Sequence, residues 1–231
     1  MGQIDEIAKQ LVGVEIGGYR IAKMIGCGGM GAVFLANHCS MNLRAAIKIM
    51  LPHGSPADQP TSEDLQRFLD EARALCAVQH NGLVKLYDVG TLPDGTVYLQ
   101  MELLEGESLD ARLQRLGGRM ELPTAVALAR QVASALRVVH ERGIIHRDLK
   151  PENIFLVVDP DSPPCERAKI LDFGLAKFRD AAVRRTRTGQ PIGTPRYMSP
   201  EQCEGSQLID ERTDVYSLGL RSEERRVGKE C

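Results

Sequence analysis

The stretch His146-Arg147-Asp148-Leu149-Lys150-Pro151-Glu152-Asn153 places a carboxylate, an ammonium and an amide within six positions. Transfer of a phosphoryl group needs a base that orients the attacking hydroxyl, cations that face the phosphate, and oxygen ligands for magnesium. Asp148, Lys150 and Asn153 supply these three kinds of group. The alternative interpretation is a charged surface turn, and the segments on either side of this stretch decide between the two.

The composition is that of a globular protein. The chain has 231 residues, of which 43% are hydrophobic and 26% are charged, enough for one large core or two small ones. The formal net charge of -2 and the pI near 6.2 argue against a nucleic-acid or anionic-membrane partner, since such surfaces carry a basic excess. We therefore expect partners other than polyanions.

The cysteines and the first residues bear on the cellular compartment. Without a Cys-x-x-Cys spacing, neither a zinc site nor a disulfide framework is indicated by the six cysteines Cys27, Cys39, Cys76, Cys165, Cys203 and Cys231. No apolar run approaches the length needed to cross a bilayer, and residues 1–6 lack the features of a signal peptide or a myristoylation signal. The sequence predicts a cytoplasmic protein.

The first half of the chain predicts a small β-sheet. Apolar residues predict two strands between Tyr19 and Ala36, joined by a glycine turn, and a third strand at Ala45 to Met50. Two more β-rich runs, Leu83 to Val89 and Val97 to Leu103, are separated by the turn signal Pro93-Asp94-Gly95.

One helix accompanies these strands. Thr61 or Ser62 can cap it, and a single amphipathic face is formed by Leu65, Phe68, Leu69, Ala72, Leu75 and Cys76. Beyond Gly106 the pattern turns helical, most clearly from Thr124 to His140, where the apolar stripe is Val126, Leu128, Ala129, Val132, Leu136 and Val139. The two halves predict an α+β fold: a small β-rich lobe with one helix, then a mostly helical lobe.

The glycine turn has a pattern of its own. Gly26-Cys27-Gly28-Gly29-Met30-Gly31-Ala32-Val33 fits G-x-G-x-x-G-x-V, in which missing side chains let backbone N–H groups approach phosphate oxygens. A dinucleotide-binding turn would lead from a strand into a helix, whereas the strand-like run Val33-Phe34-Leu35-Ala36 follows here. The order of elements therefore favours a phosphate-covering flap.

Lys48 ends the strand-like run Ala45-Ala46-Ile47-Lys48, and an isolated lysine there is usually an edge-strand charge. A lysine on this strand can hold the α- and β-phosphates of a nucleotide only if a carboxylate fixes the position of its amine. Glu71, beside the apolar face of the helix, is the natural carboxylate. We therefore predict a Lys48–Glu71 ion pair.

These segments together resemble the catalytic domain of bacterial-looking, eukaryotic-type (Hanks-type) serine/threonine protein kinases. The stretch 146–153 resembles the family's catalytic loop, and Lys150 with Pro151-Glu152-Asn153 resembles the serine/threonine branch rather than the tyrosine branch. Asp172-Phe173-Gly174, after the apolar run Ala168 to Leu171, resembles its metal-binding triplet. The resemblance implies a bilobal protein-kinase-like fold, ATP and Mg²⁺ as cofactors, and transfer of the γ-phosphoryl to Ser/Thr hydroxyls of proteins.

The resemblance also implies residue roles. Asp148 would orient the substrate hydroxyl, Lys150 would steady the transferring phosphoryl, and Lys48 with Glu71 would hold the nucleotide phosphates. The metal ligands would be Asn153 and Asp172. The nucleotide-binding set would be Ile25, Gly26, Cys27, Gly28, Gly29, Met30, Gly31, Val33, Ala46, Lys48, Met101, Glu102, Leu104 and Phe155.

Within that set, the run Met101-Glu102-Leu103-Leu104 resembles the family hinge. Met101 would be the gatekeeper, backbone groups of Glu102 and Leu104 would bond adenine, and the adenine ring would be sandwiched by Val33, Ala46 and Phe155. From the residues alone, a plain strand end is an equally good interpretation of this run.

The segment from Asp172 to Glu201 resembles an activation segment closed by a variant of Ala-Pro-Glu, with Ser199 in place of Ala. Arg147, next to Asp148, is a cation that phosphate on a loop threonine would neutralise. We therefore predict autophosphorylation at Thr186 or Thr188. Thr194 would be structural by resemblance, and Asp214 would anchor the catalytic loop's backbone.

The resemblance runs from Tyr19 to Leu220, with residues 1–18 as an extension and lobes at about 19–103 and 104–220. A buried central helix should continue apolar, yet Arg221 to Cys231 are largely charged. These eleven residues can be read as codons that resemble a short-read sequencing adapter. We expect them to be an assembly artefact, the helical lobe to be incomplete, and the literal chain to be unstable or inactive.

Two other classes of function stay open. A small-molecule phosphotransferase of the aminoglycoside-kinase type shares this fold, but Arg147, Lys150 and residues 193–201 argue against it. A non-catalytic fragment or pseudokinase-like binding module is the other, and against a pseudokinase stand the intact residues Lys48, Glu71, Asp148, Asn153 and Asp172. Protein substrates, and a transient homodimer for autophosphorylation in trans, would be the partners of the kinase.

Overall fold

The computed structural model describes residues 10–28, 31–50, 61–162, 164–173, 197–204 and 209–223. The chain divides into two compact units. Unit 1 comprises Met1–Ala77 and Lys85–Leu104, and unit 2 comprises Val78–Val84 and Glu105–Cys231.

Unit 1 is built on one antiparallel sheet. Its strands are β1 (Glu15–Ile16), β2 (Tyr19–Gly28), β3 (Gly31–His38), β4 (Arg44–Met50), β5 (Leu86–Thr91) and β6 (Val97–Glu102). They lie in the order β1-β2-β3-β4-β6-β5, each pair antiparallel. The predicted glycine hairpin is confirmed as β2–β3. The two-residue β1 is too short to leave an alternating pattern, so sequence reasoning missed it.

The predicted strand from Leu83 to Val89 was wrong at its start, because β5 begins only at Leu86. Leu83 instead belongs to unit 2, where it forms a parallel bridge with Ile170. The Val84 N–H donates to the Ile170 carbonyl at 3.0 Å. Local apolar character could not reveal this partner, since it lies far along the chain.

The core of unit 1 lies on one face of the sheet. Alternate residues of a strand face the same side, and the buried cluster on this face contains Ile16, Tyr19, Ile21, Ala32, Phe34, Ala36, Ala45, Ile47 and Ile49. The intervening residues of β3 and β4, among them Val33, Ala46 and Lys48, therefore lie on the opposite face. That face carries much of the predicted nucleotide set.

Helix α1 (Ser62–Cys76) is the predicted amphipathic helix of unit 1. Thr61 caps it through a reciprocal pair: Thr61 Oγ1 accepts the Asp64 N–H at 3.2 Å and Asp64 Oδ2 accepts the Thr61 N–H at 3.1 Å. Its buried residues are Phe68, Leu69, Ala72 and Leu75, and the helix packs against β5. Glu71 lies half-buried beside this face.

Unit 2 combines a small sheet with helices. Its elements are β7 (Gly106–Ser108), α2 (Leu109–Arg115), α3 (Leu122–His140), a 3-10 turn (Pro151–Asn153), β8 (Ile154–Val158), β9 (Glu166–Ile170), α4 (Pro200–Cys203) and α5 (Arg212–Glu223). The strands form an antiparallel sheet in the order β7-β8-β9. The helix predicted from Thr124 begins at Leu122, because Pro123 fits the first helical turn.

Helix α3 is long and apolar enough to span a membrane by length and composition alone, contrary to the expectation from the sequence. Its buried stripe is Leu128, Val132, Ala135, Leu136 and Val139. Within unit 2 the helix packs against β9 and α5. These contacts bury the stripe within unit 2.

Candidate active site

The loop 146–153 follows α3 and is held by one side chain of α5. The fully buried Asp214 accepts the His146 N–H through Oδ2 at 2.8 Å and the Arg147 N–H through Oδ1 at 2.9 Å. The predicted anchoring role of Asp214 is thereby confirmed. Arg147 has a φ of 66°, in the left-handed region, which costs a non-glycine residue about 1–3 kcal/mol. The surrounding hydrogen bonds must hold this conformation.

A third donor completes the environment of Asp214. Nε2 of His140, the last residue of α3, lies 2.7 Å from Asp214 Oδ2. Because a carboxylate only accepts hydrogen bonds, Nε2 carries the proton. Burial raises the pKa of the Asp214 carboxyl, but the hydrogen bond from His140 and those from the backbone N–H groups of His146 and Arg147 outweigh burial, so the pKa lies below its usual value.

Asp148 lies at the centre of the loop's polar groups. Lys150 Nζ donates to Asp148 Oδ2 at 2.8 Å, and Asn153 Nδ2 donates to the Asp148 carbonyl at 2.8 Å and to Oδ2 at 3.2 Å. Within the described parts of the chain, both side-chain contacts thus fall on Oδ2, which leaves Oδ1 as the acceptor for a hydroxyl. The three groups predicted from the sequence lie together.

His146 connects this loop to the segment before Asp172. Its ring is fully buried; Nδ1 accepts the Asp148 N–H at 3.2 Å, so Nε2 is the nitrogen that donates to the Leu171 carbonyl at 2.7 Å. The Leu171 N–H in turn donates to the Asn153 carbonyl at 2.9 Å. Sequence reasoning gave His146 no role, since its partner lies 25 positions away.

Leu171, the residue before Asp172, is therefore hydrogen-bonded through both its N–H and its carbonyl. Asp172 adopts a φ of 60°, which aspartate tolerates better than most residues. Phe173, after it, packs edge-on against the ring of His146 with centroids 4.6 Å apart.

The two predicted metal ligands have the right chemistry for magnesium. The bonds from Asn153 Nδ2 to Asp148 orient the amide, so its oxygen is the atom left to serve as a ligand. Asp172 adds a carboxylate. Magnesium prefers oxygen ligands, typically one or two carboxylates together with substrate phosphates. These residues fit the ion.

The register of unit 1 brings part of the predicted nucleotide set to one face of the sheet. Val33 pairs directly with Lys48, and Ala46 pairs with Met101; directly paired residues in an antiparallel sheet point to the same side. Lys48 is only 6% exposed, so its charge needs partners. Glu71 also belongs to unit 1; the Lys48–Glu71 pair stays a prediction.

The remaining members of the set are placed as follows. Ile25 and Cys27 are exposed near the end of β2, which terminates at Gly28. The Glu102 N–H already donates to the Lys85 carbonyl at 2.9 Å, so this N–H does not serve adenine. Leu104 is half-buried at the end of unit 1. Phe155 belongs to unit 2, where it pairs with Ser108.

Several predicted positions lie outside the described residues. These are Gly29 and Met30 of the glycine loop, Gly174, and the threonines Thr186, Thr188 and Thr194. Their predicted roles stay predictions.

The described segment 197–204 is attached to α5. Ser199 and Thr213 are fully buried, and their hydroxyl oxygens lie 3.2 Å apart. Thr213 Oγ1 donates to Glu201 Oε1 at 2.8 Å, so the Ser199 hydroxyl donates to Thr213. A backbone hydrogen bond at Glu201 itself, followed by the hydroxyl of Thr213, lowers the pKa of the Glu201 carboxyl. Sequence reasoning did not foresee Thr213 as the partner of Glu201.

The fold and this site define a protein kinase. The family model described as the protein kinase domain matches residues 19–229, and the chain belongs to that family. The kinase domain of PknI from Mycobacterium tuberculosis is similar in structure, with a TM-score of 0.70 and 27% identity over 91% of this chain and 75% of that one. The predicted bilobal kinase-like fold class and the family resemblance are confirmed.

The curated relatives are bacterial serine/threonine-protein kinases. Pkn1 of Myxococcus xanthus is 42% identical over 93% of this chain and 29% of its own length. PknA of Mycobacterium tuberculosis is 38% identical over 94% of this chain and 49% of its own length. The chain thus spans half or less of the length of these two relatives.

Proposed function

We propose that this chain is the catalytic domain of a bacterial serine/threonine protein kinase, which transfers the γ-phosphoryl of Mg-ATP to Ser or Thr hydroxyls of proteins. The observation that carries the proposal is the convergence of Lys150 Nζ and Asn153 Nδ2 on Asp148, on a loop anchored by Asp214. The kinase names of the relatives support the serine/threonine assignment.

Asp148 acts as the base. Its Oδ2 is held by Lys150 and Asn153, so Oδ1 receives the substrate hydroxyl and takes its proton. The hydroxyl oxygen forms a bond to the γ-phosphorus while the bond from that phosphorus to the bridging β,γ-oxygen breaks. ADP leaves with the electrons of the broken bond.

Cations of the chain face the phosphates. Lys150 lies one hydrogen bond from Asp148 and steadies the transferring phosphoryl, while Lys48, fixed by Glu71, holds the α- and β-phosphates. Asn153 and Asp172 would hold magnesium, which would supply positive charge against the phosphates.

Autophosphorylation at Thr186 or Thr188, in trans within a transient homodimer, would supply an anion for Arg147. We also propose that the substrates are proteins and that the location is cytoplasmic. The catalytic domain would cover residues 19–220, with the first lobe at about 19–103 and the second at about 104–220 of the sequence.

The test is incorporation of labelled phosphate from Mg-[γ-³²P]ATP into the purified protein and into a generic basic protein substrate. Asp148→Asn should lower the rate by about 10²- to 10⁴-fold, because general-base catalysis contributes that much. Asp161→Asn, at an exposed aspartate of the β8–β9 connection, is the matched control and should leave the rate unchanged.

An aminoglycoside is offered in parallel. A wild-type protein that phosphorylated the aminoglycoside but no protein, including itself, would contradict the kinase proposal and favour the small-molecule phosphotransferase. A wild-type protein that phosphorylated neither would favour a non-catalytic fragment or pseudokinase-like binding module, in line with the expectation from the sequence that the literal chain is inactive.

A further inference from the structure

Gln202 of α4 touches the catalytic loop, although neither the family pattern nor the sequence analysis gave it a role. Its Nε2 donates to the Arg147 carbonyl at 2.7 Å, across 55 positions of sequence. Its Oε1 accepts the Ser199 N–H at 3.1 Å. A single planar amide thus joins the 197–204 segment to the residue that precedes Asp148.

The Arg147 residue is held at both of its backbone polar groups. Asp214 accepts its N–H at 2.9 Å, and Gln202 donates to its carbonyl at 2.7 Å. The carbonyl of Arg147 belongs to the same peptide plane as the N–H of Asp148. A rotation of this plane would therefore reorient Asp148 and disturb the bond from its N–H to His146 Nδ1.

The backbone conformation of Arg147 needs hydrogen bonds from other residues to hold it. A φ of 66° is unfavourable for arginine, so the loop would relax if one of its two restraints were removed. Asp214 restrains only the N–H side. Gln202 supplies the restraint on the side that leads to Asp148.

The other contacts of the 197–204 segment explain why Gln202 lies there. Ser199 is hydrogen-bonded to the Thr213 hydroxyl, and Ser217 Oγ donates to the Tyr197 carbonyl at 2.8 Å. Both partners lie on α5, the helix that also carries Asp214. Gln202 can reach Arg147 only while the segment is docked on α5.

We propose that Gln202 is a positioning residue that couples docking of the 197–204 segment on α5 to the orientation of Asp148. The inference rests on the proposed kinase function. The role requires glutamine, because one end of the amide donates to Arg147 while the other accepts from Ser199. Glutamate keeps the acceptor but places a carboxylate oxygen against the Arg147 carbonyl.

Gln131 of α3 offers a matched control. Its Nε2 donates to the Glu166 carbonyl at 3.1 Å and to Ser162 Oγ at 3.2 Å, and its Oε1 accepts the Ala168 N–H at 2.8 Å, so both ends of its amide are also bonded. These contacts join α3 to β9 and involve no residue of the loop 146–153. Gln131→Glu therefore removes an equivalent donor and tests stability alone.

The experiment compares wild type, Gln202→Glu and Gln131→Glu in the purified protein, by thermal unfolding and by steady-state phosphorylation of the generic protein substrate. Both variants should lose similar stability. Only Gln202→Glu should lower kcat, by about 10- to 100-fold, with KM for ATP unchanged, because a small misplacement of a catalytic group has effects of that size.

If Gln202→Glu does not fold, Gln202→Met against Gln131→Met gives the same comparison without an added charge. An active wild type whose kcat is unaffected by the Gln202 change, or affected equally by the Gln131 change, would overturn the inference alone. A wild type without any phosphoryl transfer would overturn the proposed function, and this inference with it.

Discussion

At the scale of single residues, the loop depends on one buried carboxylate. Asp214 accepts two backbone N–H groups and a bond from His140, and it is fully buried. Burying a charge is unfavourable unless hydrogen bonds compensate. Here three donors compensate, and the strained Arg147 conformation follows from their positions.

Asp214→Asn should lower the free energy of unfolding by about 1–3 kcal/mol, since the amide cannot accept from both backbone N–H groups and leaves one buried donor unsatisfied. Urea titration near neutral pH measures it. Asp161→Asn is the control, because Asp161 is exposed.

The difference in stability between wild type and Asp214→Asn has a predictable pH dependence. The pKa of Asp214 is lowered in the folded protein, so its stabilisation is complete above the unfolded value of about 3.9 and is lost as pH falls through the lower folded value. The stability gap between wild type and Asp214→Asn should therefore narrow as pH falls from about 5 through the unfolded value and towards the lower folded value. A gap of constant size over this range would contradict the assignment.

At the scale of elements, the register of β3 and β4 places Val33 beside Lys48. The two strands approach each other closely at Gly31, the first residue of β3. Gly31 has a φ of 146°, and a Cβ added there would lie 2.1 Å from the Ile49 carbonyl oxygen. No side chain fits this approach, because the obstructing atom belongs to the backbone of the neighbouring strand. The third glycine of the G-x-G-x-x-G pattern therefore has a structural requirement of its own.

Gly31→Ala should lower the free energy of unfolding by about 1–3 kcal/mol, the usual cost of inserting a methyl group where the backbone must shift. Gly26→Ala is the matched control, since nothing among the described residues lies within 4 Å of a Cβ there. Circular dichroism during chemical unfolding measures both. Equal losses in the two variants would show that the approach to Ile49 is not the cause.

At the scale of the whole molecule, the proposal predicts a linkage between nucleotide binding and stability. A ligand at one hundred times its Kd stabilises a folded protein by about 2.7 kcal/mol. Mg-ATP at saturating concentration should therefore raise the melting temperature of the wild type, and ATP with a chelator should raise it less.

Asp172→Asn should lose most of the magnesium-dependent part of this shift, because it removes the carboxylate that would bind the ion. Asparagine also tolerates the φ of 60° at this position, so the fold should persist. Asp161→Asn again serves as the control. An undiminished Mg-ATP shift in Asp172→Asn would exclude Asp172 as a metal ligand.

How much of the structure could be predicted from the sequence depends on how far apart along the chain the interacting residues lie. The helix over Ser62–Cys76 and the hairpin β2–β3 could be predicted, because their apolar periods and caps involve residues within a few positions. The start of β5 could not, because Leu83 pairs with Ile170 instead. Short-range patterns contain no information about such a partner.

The amino-acid sequence by itself determined the family, the chemistry of Asp148, Lys150 and Asn153, and the order of most elements, since each depends on residue types at short, regular spacing. Only the tertiary structure decided what holds those groups in place. The bonds of Arg147 to Asp214 and to Gln202 span 67 and 55 positions. Their geometry exists only after the chain has folded, because it depends on the packing of α3, α4 and α5 around the loop.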